Sequence, residues 1–81
     1  MADIEAKAEQ AARLLRDETF QDVLSTIRDD AVALFLRATS SITEIEAAHS
    51  KIAAVQLILD EVERRIDAGK IEAKARKRAA P

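Results

Sequence analysis

The feature that most limits this chain is a seven-residue rhythm between positions 45 and 66. Ile45, Ile52, Leu59 and Ile66 form one apolar row, and Ala48, Val55 and Val62 follow three residues after each of the first three. Rows at that spacing stay on one side of an α-helix for four heptads, which predicts a helix lying along another helix. Its start is written locally. Ser41 followed by Glu44 is a capping box, in which each side chain satisfies a backbone N–H of the first turn. Gly69, the only glycine, is read as the stop, giving a helix over 41–68.

The middle of the chain spaces Phe20, Leu24, Ile27, Ala31, Leu34 and Ala38 by alternating fours and threes, which predicts a second amphipathic helix over 18–38. Val23, Val32, Phe35 and Leu36 fall outside that line, so this helix is expected to have two neighbours. Upstream, Ile4, Ala8, Ala11 and Leu15 share one face, but the same spacing carried forward misses Phe20. The slip predicts a break at 16–19 with Asp17 as N-cap and a short first helix over 3–16; a continuous helix over 3–38 is the alternative, since no Gly or Pro forces the break.

The connection from Ala38 to Ser41 is short enough to make the second and third helices antiparallel neighbours. At 1.5 Å per residue they are about 30 Å and about 42 Å long, leaving an overhang of roughly 10 Å for the first helix or for another subunit to cover. A hairpin with one short extra helix buries each seam from one side. Leu14, Val23, Phe35, Leu36, Leu57 and Ile58 are therefore expected to stay partly wet in a monomer. The fold class expected is all-α, an antiparallel helical hairpin with a short N-terminal helix, oligomeric through coiled-coil-like packing. Residues 1–69 form one helical domain and 70–81 a basic C-terminal tail. The expected oligomer or partner surface is Ile45, Ile52, Val55, Ile58, Leu59, Val62 and Ile66, with Phe35.

Composition agrees with helices and narrows the chemistry. Gly and Pro occur once each in 81 residues, and cysteine is absent. With neither disulfides nor an apolar run of signal or membrane length, a cytoplasmic protein is expected. Phe20 and Phe35 are the only aromatics, too few to stack exposed bases in a sequence-specific single-strand binder.

Charge is uneven. Residues 1–69 hold eight Lys and Arg against fourteen Asp and Glu, net −6, whereas 70–81 hold five against one, net +4. Lys70, Lys74, Arg76, Lys77 and Arg78 are thus candidates for contact with DNA or an acidic partner. The plainer reading is a frayed, partly helical, solubilising end whose cations favour the C-terminal dipole of the last helix.

No residue pattern specifies a reaction. His49 stands alone beside the seam, and Glu46 with His49 is half of the Glu-x-x-His motif that paired-metal bundles need in two copies. The acid pairs Asp29-Asp30 and Asp60-Glu61 fall away from the apolar rows, where nothing desolvates a carboxyl for general-acid work. Neither a thiol nucleophile nor a Gly-rich phosphate loop is present. The chain is read as non-enzymatic, without catalytic, cofactor-binding or metal-binding residues.

Ala11-Ala12-Arg13-Leu14-Leu15, Asp17, Phe20-Gln21 and Leu24, followed by Ala48, Lys51-Ile52, Ala54-Val55, Ile58-Leu59 and Val62 and closed by Gly69-Lys70, form a pattern that resembles small all-helical head-assembly and DNA-packaging proteins of tailed bacteriophages and prophages. Glu18 stands where that group often has Pro. The resemblance implies a virion-assembly or packaging role, most concretely a small-terminase-like oligomer, in the bacterial cytoplasm or associated with the virion. It supplies no catalytic residue. The chain has no room for a helix-turn-helix domain beside its oligomerisation helices, a departure from the standard small terminase. Two other classes fit the same features: a small regulatory module that binds one host protein, such as a phage-encoded inhibitor or adaptor, and a nucleic-acid-binding accessory protein.

Overall fold

The computed structural model describes residues 3–79, which fold into three α-helices with no strand among them. Helix α1 spans Asp3–Arg16, α2 Glu18–Leu36 and α3 Ile42–Ala79. Helices α1 and α2 follow one another along the same side of α3, antiparallel to it, and touch each other only modestly. The result is a rod of 65 × 22 × 16 Å, two helices wide and one thick.

Local chemistry sets each joint. Asp17 leaves the helical region at φ −70°, ψ 122°, and its Oδ1 accepts the Phe20 N–H at 2.8 Å. The Gln21 amide reaches back across the break to donate to the Leu15 carbonyl. This carboxylate cap starts α2 with Glu18, not proline, as the first helical residue.

Helix α2 ends at Leu36, two residues before the expected Ala38, because Arg37 is extended at φ −80°, ψ 121°. The Ser40 hydroxyl then caps the Leu34 carbonyl at 2.7 Å. At the start of α3 the capping box closes in both directions. Ser41 N–H donates to Glu44 Oε1 at 3.0 Å, and Glu44 N–H donates to Ser41 Oγ at 3.1 Å.

One expectation is overturned: the third helix does not stop at Gly69. It runs on to Ala79, so residues 70–79 of the expected tail are its last turns; residues 80 and 81 lie outside the described residues. Gly69 has no positive φ, so it is not a left-handed terminator. It is buried where α1 crosses, and a Cβ built on it would fall on the Ala8 Cβ. Mid-helix glycine costs about 1 kcal/mol relative to alanine. Here the missing side chain lets two backbones approach, and packing against α1 extends along α3 to Ala73, beside Glu5, Ala8 and Glu9.

The seam is narrow and built from small residues. Ala48, Val55, Val62 and Gly69, each seven after the last, are the buried positions of α3; they face buried Leu24 and Ala31 of α2 and Ala11 of α1. Among the described residues no large side chain is fully buried.

Candidate interaction surface

A rod one helix thick has two long flanks, and their chemistry differs. On one, Leu15, Gln21, Ser25 and Arg28 line a cleft with Leu59, so polar groups interrupt the apolar ones. On the other, Leu14 of α1 and Leu57 and Ile58 of α3 line a groove of about 510 Å³, bordered by Lys7, Glu61 and Arg65. At about 100° per residue, turning Leu24 and Ala31 inward with Gln21, Ser25 and Arg28 to one side sends Val23 and Ile27 to this second flank. Five large apolar side chains thus share it, each 39% exposed or more: Leu14, Val23, Ile27, Leu57 and Ile58.

The charged border is ordered. Glu61 takes both Arg64, at 2.6 Å, and Arg65, at 3.0 Å, and these guanidinium hydrogen bonds hold its carboxyl below the usual carboxylate range. Both arginines are exposed, so the cluster shapes the rim and adds little stability. Glu44 is also lowered, first by the Ser41 backbone N–H and then by the Ser41 hydroxyl.

The residues expected to hold another subunit are divided by the fold. Val55 and Val62 are buried inside the hairpin, and Ile45, Ile52, Leu59 and Ile66 are half-buried along its edge. Only Ile58 and Phe35 are exposed, at 43% and 41%. The six side chains expected to remain wet are all exposed, Leu36 most of all at 81%. The four-three spacing puts Ile27 in the middle helix's seam, yet it faces outward at 39% because Leu24 and Ala31 take the inner line. A strict four-three count places it inside; only the direction of α3 turns it out.

The basic residues lie on the last turns of α3. Arg76 Nη2 reaches Glu5 Oε2 at 2.9 Å, so one of the five cations is paired with the acidic start of α1. His49 is exposed, and among the described residues no three His, Cys, Asp or Glu side chains converge as metal ligands. Nor is any described helix long and apolar enough to cross a membrane. Comparison with protein-family models, curated proteins and solved structures finds no match to the chain.

Proposed function

We propose that this chain is a non-enzymatic assembly component that works by self-association. One observation carries the reading: the chain exposes far more surface than a self-sufficient domain does. A folded monomer of 8.9 kDa exposes about 4,800 Å², whereas this chain exposes 6387 Å². Its radius of gyration is 17.9 Å, against about 12 Å for a compact chain of this length. The excess of about 1,600 Å² exceeds the roughly 800 Å² that each partner contributes to a standard interface.

Within that reading, the resemblance to phage head-assembly and packaging proteins supplies the setting, with the small terminase subunit as the most concrete model and the bacterial cytoplasm or the virion as the place. The cationic end of α3 is the surface offered to DNA or to an acidic protein, and repetition around an assembly would make its charges act together.

Light scattering after size exclusion, over a range of concentrations, tests the reading. A defined multiple of 8.9 kDa is the expected result. A monomer throughout the micromolar range refutes it and leaves the stoichiometric binder of one host protein as the account of the exposed flank.

A further inference from the structure

The geometry points to the flank carrying Leu14, Val23, Ile27, Leu57 and Ile58 as the seat of a second copy of this chain, turned end for end, so that two hairpins make a four-helix bundle. This rests on the self-association proposed above and adds which face is used and in which orientation.

Position is the first argument. Leu57 and Ile58 lie near the middle of α3 (Ile42–Ala79), and Leu14, Val23 and Ile27 straddle the α1–α2 joint, so the apolar cluster is centred on the 65 Å rod. A two-fold axis crossing the rod at mid-length superposes such a cluster on itself, which is what a self-complementary interface requires. An off-centre cluster would leave half of each rod uncovered.

Area is the second. The broad face of the rod measures 65 × 22 Å, so covering a little over half of it reaches the roughly 800 Å² per partner of a standard interface. Stacking on that face adds the second layer that a rod 16 Å thick lacks. Polar side chains line both flanks, Gln21, Ser25 and Arg28 on the other and Lys7, Gln10, Glu61 and Arg65 on this one, but the groove here is the larger, about 510 Å³ against about 370 Å³.

Charge selects the orientation. Residues 29–50, around the hairpin turn, hold Asp29, Asp30, Glu44 and Glu46 against one arginine, Arg37, for a net −3; at the other end residues 70–79 hold five cations against Glu72, and the adjacent start of α1 adds Asp3, Glu5 and Glu9 against Lys7, for a net +2. End-for-end stacking sets each basic end over its partner's acidic end. Stacking with both turns at the same end sets like charge over like.

The test compares wild type with Leu57→Glu/Ile58→Glu and with Ile71→Glu, whose side chain is 69% exposed on α3 away from the groove. Wild type and Ile71→Glu are expected to show twice the monomer mass, and the double variant the monomer mass with helical circular dichroism retained. A wild-type oligomer that survives both glutamates overturns the assignment of the flank while leaving self-association in place; a wild-type monomer overturns both.

If the double variant unfolds, Leu57→Cys and Ile71→Cys in this cysteine-free chain decide the matter by maleimide labelling. Position 57 is expected to label at least tenfold more slowly in concentrated than in dilute solution and position 71 equally fast in both; equal rates at 57 overturn the assignment. Spin labels on Thr39→Cys, at the turn, read the orientation. A separation approaching the rod length is expected, and a short one overturns the end-for-end arrangement.

Discussion

Replacing Gly69 with alanine isolates the contact that organises the long half of the rod. In a helix interior alanine is preferred to glycine by about 1 kcal/mol, so a glycine touching nothing would make Gly69→Ala stabilising. Here the added methyl falls on the Ala8 Cβ, with the Ala8 Cα at 3.7 Å and the Ile4 carbonyl oxygen at 3.8 Å. Carbon pairs rest at about 3.5–4.0 Å, and a Cβ cannot rotate aside, so α1 must move off α3 by more than about 1 Å. Overpacking of this kind costs about 1–3 kcal/mol; set against the propensity gain of about 1 kcal/mol, the expected net is a loss of up to about 2 kcal/mol. Urea denaturation followed by circular dichroism, at several protein concentrations to separate folding from association, measures it. Adding Ala8→Gly removes the opposing methyl, and the two propensity terms then cancel, so the double variant is expected within about 0.5 kcal/mol of wild type. A Gly69→Ala chain more stable than its parent, or a double variant no better than the sum of the singles, refutes close approach as the reason for the glycine.

Three further outcomes follow from the same geometry. Asp17→Ala removes the acceptor for the Phe20 N–H and should cost about 1 kcal/mol in thermal unfolding, with Asp17→Asn recovering most of it; equal loss in both would mean that the carboxylate's charge, not its cap, matters. Glu44 and Glu61 have carboxyls held below their ordinary range, so each contributes stability that is present above the unfolded value near about 4.3 and is lost as pH falls through the lower folded value. Melting temperature should therefore drop on acidification below about pH 4.3, and Glu44→Gln should flatten that slope. Deleting residues 70–81 removes Ala73 and Arg76 from beside α1, so limited proteolysis within residues 3–16 should accelerate severalfold; unchanged cleavage would show that α1 is held without them.

Much of the candidate surface could be named before the fold was known, but not its boundaries. Leu14, Val23, Leu57 and Ile58 were legible as apolar residues left over once each helix had one seam. Ile27 was not, because its four-three spacing is that of a seam residue; it faces outward only because α3 lies against Leu24 and Ala31. In the other direction, the Ile45 to Ile66 row reads first as a partner for the middle helix within the chain and also as part of a surface for another subunit. In the fold it lines the hairpin's own edge.

Sequence alone determined the elements whose partners lie within one helical turn. The Ser41–Glu44 box and the Asp17 cap are complete within four residues, and heptad spacing needs only the helix's own geometry. Tertiary structure decided what fills the overhang and where α3 ends. Glycine's helix penalty is about 1 kcal/mol, a local preference that sequence reading takes at face value. Here that preference is outweighed at Gly69 by contact with Ala8, a residue from the opposite end of the chain, and the end of α3 is read correctly only once α1 lies against it.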